Sequence, residues 1–375
     1  MKEKNKSRDY YGKKASFIGL CLNCLLAVGK IVVGAIFGFI SVVADGMNNL
    51  SDCGSSVVSL VSFKMSSKPA DKEHPYGHER IEYISSMIVS FLILVIAFEL
   101  VSESINKIIS PSAFEFSIMI VAALVVSIVV KCFMFFYYRH VAKKINSELL
   151  NASAVDSLSD CISTTVVLLG VVIGQIFKIN IDGYAGILVA IFVAIAGIKV
   201  LKEVMSKLIG QVPDKEIFEK IKERVLSHDK VLGVHDLNVY CYGPNKYFGS
   251  VHIEIDAKTD SLLAHEIIDD IEREFLQETN IVLTGHHDPI VTDDEEVNKM
   301  REVVKNLVLE INEDFLMHDF RMVKGPTKTN IIFEIAVPFD NKIKESEIVD
   351  LLIKKIEKVD KKYKPVIMIE KQMFI

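Results

Sequence analysis

No excess of positive charge runs through this sequence: 43 lysines and arginines stand against 49 aspartates and glutamates, a net charge of -6. A nucleic-acid partner needs a basic face for its phosphates, so none is expected. A disulfide framework is also lacking. Cys21, Cys24, Cys53, Cys132 and Cys161 lie in apolar stretches, and only Cys241 lies in a charged region. That distribution describes packing residues, not a cross-linked secreted scaffold, and the Cys21/Cys24 spacing falls mid-helix, where packing explains it. No cleavable leader is expected either. The basic start MKEKNKSRDYYGKK is followed by a full-length apolar span and not by a short apolar core with a cleavage site, so it is an anchor flank.

What the sequence has in quantity is apolar residues, 50% of the chain, crowded into the first 206 positions and followed by a highly charged remainder. This asymmetry predicts a membrane half and a soluble half. Six segments reach the ~20 apolar residues that a span requires: 15–39, 41–64, 81–108, 114–138, 149–177 and 182–206. Basic residues crowd the N-terminus and the loops after the second and fourth spans, while the opposite loops hold only Lys107 and Lys178. The positive-inside rule then places both termini in the cytoplasm.

An ionisable residue inside a span costs about 2.5–3.5 kcal/mol on insertion scales, so its position is informative. The segment NNLSDC in the second span is echoed by DSLSDC in the fifth. Four residues turn a helix by about 400°, so Asn48 and Asp52 share one helix face, as do Asp156 and Asp160. Two helices packed along those faces offer four oxygen-bearing side chains to one point. Asp52, Asp156 and Asp160 have no lysine or arginine beside them in sequence, and like charges repel unless a cation is bound. The span lysines Lys30 and Lys131 are expected to snorkel or to pair with Glu99 or Asp182. Asp45, a turn away, stays outside this set.

Six spans with paired ligands on the second and fifth, the loop DKEHPYGHER and a charged C-terminal domain resemble the cation diffusion facilitator family of metal efflux carriers, over residues 12 to 290. The resemblance implies a transport site of four side chains at Asn48, Asp52, Asp156 and Asp160. Zinc carriers of that family usually have a histidine among the four, and this chain has none. Carboxylate and amide oxygens suit Mn²⁺ better than the imidazole-seeking Zn²⁺, and the Asn/Asp with Asp/Asp pairing is similar to the bacterial manganese branch. Mn²⁺ is the expected substrate, with Zn²⁺, Fe²⁺, Co²⁺ and Cd²⁺ as alternatives. The resemblance also implies a homodimer in the inner membrane that exchanges metal for protons, with no cofactor and no catalysed reaction. A membrane-anchored metal sensor is the rival class.

Asp71, His74 and His78 match the family's loop site, although on a solvated loop they also fit a metal-gathering surface or ordinary polarity. Beyond Gly210 and Pro213 the pattern predicts helix (214–227), strand (233–241), strand (246–256), helix (261–277) and strand (279–287). This αββαβ order resembles the family's ferredoxin-like, metallochaperone-like cytoplasmic domain. His235, His252, His286 and Asp288 match its regulatory metal cluster, with His265 as a further ligand. The expected domains are therefore 1–208 and 209–291, followed by a tail, 292–375, that echoes the preceding domain: HDFRMVKGP in the tail answers HDLNVYCYGP. Thr292 and Glu295 fit a capping box at its first helix. Ile332 stands where His252 stood, and Glu370 and Gln372 where His286 and Asp288 stood, so this second copy is expected to lack the metal ligands.

Overall fold

The computed structural model describes residues 2–37, 40–110, 118–177, 182–244 and 246–372. The chain forms two compact units, Met1–Gln211 with Cys241–Lys246, and Val212–Tyr240 with Tyr247–Ile375.

The first unit is built on six long helices: α1 (Lys2–Phe37), α2 (Ile40–Ser66), α3 (Ile81–Ile109), α4 (Ile118–Ile145), α5 (Glu148–Phe177) and α6 (Asp182–Ile209). Four of the described helical segments, Ser7–Val33, Ile81–Ile109, Val121–Ile145 and Glu148–Leu169, are long and apolar enough to cross a membrane by length and composition. Helix α1 begins well before the apolar run, because lysine and arginine are good helix formers and need only water around their heads. Helices pack in pairs, α1 on α2, α3 on α6 and α4 on α5. Small residues allow two of these approaches: a Cβ on Gly46 would lie 3.0 Å from the Ile31 backbone nitrogen, and one on Gly183 would lie 2.8 Å from the Ser104 carbonyl oxygen. Phe63, Ile93, Met134, Leu149 and Val193 fill the bundle core. At one end Arg8 reaches the fully buried Glu82 at 2.6 Å, and Glu82 also accepts from Ser147.

The second unit contains two modules with the same element order. The first is α7 (Lys215–Leu226), β1 (Val231–Gly243), β2 (Lys246–Asp256), α8 (Ser261–Glu278) and β3 (Ile281–Ile290). The second is α9 (Glu295–Leu309), β4 (Leu316–Lys324), β5 (Thr329–Pro338), α10 (Glu345–Val359) and β6 (Tyr363–Gln372). Each makes a three-stranded sheet with its hairpin partner in the middle, β1-β2-β3 and β4-β5-β6, and in each the last strand runs parallel to the central one. Each module has its own core, Val251, Ile253, Ile271 and Phe275 in the first and Val304, Ile331, Phe333 and Leu352 in the second. The capping box is corrected. Asp294, not Thr292, caps α9, accepting from the Glu296 and Val297 amides at 2.9 and 3.2 Å. Thr292 instead donates to Asp256.

Candidate metal centres

Asp52 on α2 and Asp156 and Asp160 on α5 each bring a carboxylate oxygen within 4.8 Å of the others. The i, i+4 spacing on α5 turns both aspartates to α2. The backbone of Asn48 is helical, but its side chain lies outside the described residues. The neighbouring Asn49 is buried and donates to Asp52 Oδ2 at 3.2 Å.

Sequence leaves the three carboxylates without a cation, and here the structure differs. Lys131, 1% exposed on α4, reaches Asp52 Oδ2 at 2.7 Å and Asp160 Oδ2 at 2.6 Å. It does not snorkel, and it pairs with these two and not with Glu99; the side chain of Asp182 lies outside the described residues. Burial explains the choice, since an ammonium deep in a bundle is stable only beside opposite charge. Lys30 joins the same set from α1, donating to Asn49 Oδ1 and to Ser127 Oγ, each at 2.7 Å. A continuous polar chain thus runs Ser127, Lys30, Asn49, Asp52, Lys131, Asp160.

In the irregular loop after α2, Asp71, His74 and His78 come together. Asp71 lies 3.5 Å from His74 Nδ1 and 3.3 Å from His78 Nε2. The His74 backbone N–H holds the Asp71 carboxyl below the usual carboxylate range. His78 is buried, and its Nδ1 lies 3.1 Å from the Pro69 carbonyl oxygen, leaving Nε2 toward Asp71.

In the second unit His235, His252 and Asp288 form one cluster. Asp288 Oδ2 lies 2.8 Å from His235 Nε2 and 3.0 Å from His252 Nδ1. Burial alone would lower the His235 pKa, but the Asp288, Glu254 and Asp236 carboxylates outweigh it and raise it to about 9. The adjoining Asp288 carboxylate likewise raises His252. Asp288 itself is pulled far down by the two imidazoles despite its burial. His286 stands at the rim, its Nε2 3.2 Å from Asp288 Oδ1 with its side chain 65% exposed. His265 is exposed on α8 and joins none of the ligand clusters found among the described residues.

Residues 292–375 were expected to lack the metal ligands of the preceding module, yet ligand-capable side chains gather there as well. A further cluster joins Asp236 of the first module to His318, Glu334 and Glu370 of the second, and the His235 and His318 rings stack with centroids 4.5 Å apart. The cause is local. Asp236 and Asp319 both adopt left-handed backbone, φ 48° and 50°, and the β4 ladder shifts register just there. A regular strand would send consecutive side chains to opposite faces. Here His235 and Asp236 are buried side by side. His318 is held neutral by burial and by the nearby His235 charge, which lower its pKa to about 4. Burial, with the charges of Glu370, Asp319 and Asp236, raises Glu334, and burial with Asp236 raises Glu370. The signal was legible in part, because His318 opens the segment HDF that matches HDL at His235.

Residues 16–209 match the cation efflux transmembrane domain, and residues 213–290 match the cation efflux protein cytoplasmic domain. Similar proteins include an uncharacterized transporter of Methanocaldococcus jannaschii, 33% identical over 260 residues that cover 69% of this chain and 90% of that protein. The manganese efflux system protein MneS of Bacillus subtilis is 27% identical over 74% of this chain and 94% of its own length. Metal tolerance protein 2 of Oryza sativa is 30% identical over 71% of this chain and 75% of its own.

Proposed function

Because the chain belongs to the cation efflux family, the cation diffusion facilitators, and is thus a metal transporter and not an enzyme, we propose that it exports Mn²⁺ from the cytoplasm in exchange for protons. The observation that carries this reading is the convergence of Asp52, Asp156 and Asp160 on one point between two apolar helices. Asn48 completes the set as an amide oxygen. The absence of imidazole and thiolate among these four favours a hard dication, and two relatives are manganese efflux system proteins.

All six helices α1–α6 act as spans, with both termini in the cytoplasm of an inner-membrane homodimer. The site opens alternately to either side as the bundle rocks. Three carboxylates offset most of the charge of Lys30, Lys131 and one dication, so Mn²⁺ entering from the cytoplasm displaces Lys131 from Asp52 and Asp160 at little cost in buried charge. Protons arriving from outside compete for the same carboxylates, and Asn48 cannot take one. Lys131 then returns to the aspartates, which lets the carrier reset without a metal. The loop residues Asp71, His74 and His78 gather metal near the cytoplasmic entrance, and the cluster of His235, His252, His286 and Asp288 senses it. The module at 292–375 is a duplicate of the one at 209–291, as the shared element order and the paired left-handed aspartates support.

The test is Mn²⁺ uptake into inverted vesicles under an imposed proton gradient. Parent protein should accumulate Mn²⁺ faster when the interior is acidic, and Asp160→Ala should abolish uptake while the protein remains folded. Gradient-independent flux would indicate a channel, absence of flux in the parent a sensor, and undiminished uptake in the variant would refute the site.

A further inference from the structure

We propose that Asp236, His318, Glu334 and Glu370 form a divalent-cation site of their own, built across the two modules of the C-terminal unit. It adjoins the cluster of His235, His252 and Asp288, sharing none of those three residues, and does not depend on the transport reading.

Four ligand atoms, one from each residue, lie within 4.8 Å of one another. They come from four strands: Asp236 from β1, His318 from β4, Glu334 from β5 and Glu370 from β6. His318 and Glu334 are directly opposed in the β4–β5 ladder, and Asp236, in left-handed backbone, brings its carboxylate to them from the other module. Acidic residues gather on many protein surfaces with no ion between them, but this set has a buried centre. His318 is 4% exposed, and neither of its ring nitrogens has a hydrogen-bond partner among the described residues. Nε2 stops 3.5 Å from Asp236 Oδ1 and Nδ1 stops 3.9 Å from Glu334 Oε2. An unsatisfied buried polar group costs on the order of 1–3 kcal/mol, so the ring calls for a further partner. Among the described residues, no lysine or arginine pairs with Asp236, Glu334 or Glu370. The Gln372 amide donates to Asp236.

A cation coordinated by one imidazole nitrogen and three carboxylates gives one of the two ring nitrogens a partner and offsets most of the negative charge. The donor set is mostly hard with one borderline ligand, which suits Mn²⁺ or Fe²⁺; the adjoining cluster, with two imidazoles, is the better Zn²⁺ site. Because its ligands come from both modules, this site also fastens them: the ion holds β1 of one to β4, β5 and β6 of the other.

Full-length protein in detergent, with Mn²⁺ as the probe, tests the assignment through binding stoichiometry and thermal unfolding. The double variant Glu334→Gln/Glu370→Gln keeps side-chain size and should bind one Mn²⁺ fewer per chain than the parent. His252→Ala should retain that Mn²⁺. Added Mn²⁺ should raise the unfolding temperature of the second unit in the parent and by much less in the double variant. If the double variant is unfolded by circular dichroism, His318→Gln decides by the same measurements. Unchanged stoichiometry with an unchanged thermal shift in a folded variant would overturn the proposal, as would loss of the same Mn²⁺ in His252→Ala alone.

Discussion

Replacing Lys131 with methionine keeps most of the side-chain volume and removes the ammonium that holds Asp52 and Asp160. In the parent, a metal reaching those carboxylates must first displace an amine at 2.7 and 2.6 Å from them. Breaking a buried ion pair by deleting one partner costs about 3–5 kcal/mol, which sets the upper limit on what the competing ammonium withholds from the metal. Some of that is recovered when the displaced amine finds Asp156 or water, so the net gain to the metal is smaller. At about 1.4 kcal/mol per tenfold, Lys131→Met should tighten Mn²⁺ binding by between ~10-fold and ~1,000-fold. The same change should slow turnover at saturating Mn²⁺, because nothing tethered then displaces the bound ion or neutralises the carboxylates on the return. Lys131→Arg, which keeps the charge, should restore weaker binding. Equilibrium dialysis reports the affinity and vesicle uptake the turnover. Weaker binding in Lys131→Met with normal turnover would refute the competition and reduce Lys131 to a structural strut.

Two further outcomes are expected. Asn48→His adds an imidazole beside the carboxylates and should raise Zn²⁺ transport relative to Mn²⁺, read as the ratio of the two rates in one competition assay; an unchanged or Mn-shifted ratio would remove Asn48 from the site. Arg8→Ala leaves the fully buried Glu82 without its guanidinium partner and should destabilise the helical unit by about 3–5 kcal/mol; an unfolding temperature equal to the parent's would contradict it.

The paired aspartates of α5 were visible in sequence because four residues nearly complete a helical turn, and their meeting with Asp52 needed only the matching face on α2. The place of Lys131 was not visible. A lysine inside a span reveals that it needs a counter-charge, but the register of α4 against α2 and α5, a matter of packing, selects which one. The strands of the C-terminal unit lay close to their expected limits because apolar alternation is a local signal. His318 was readable as the counterpart of His235, yet its destination depended on left-handed residues at Asp236 and Asp319 that alternation cannot anticipate. The α9 cap moved from Thr292 to Asp294 because both residue types cap well, and only the chain path decides between them.

The stacked His235 and His318 rings occupy equivalent positions in two similar modules, which is the geometry found on the axis of a symmetric dimer. When such an axis lies between separate copies of one polypeptide, every substitution is imposed on both walls at once. Here a single chain encodes each wall independently. One side carries imidazoles at His252 and His286, while the other presents carboxylates at Glu334 and Glu370. A single chain thus sets two unlike donor sets side by side, which no assembly of identical subunits can do without giving up its symmetry.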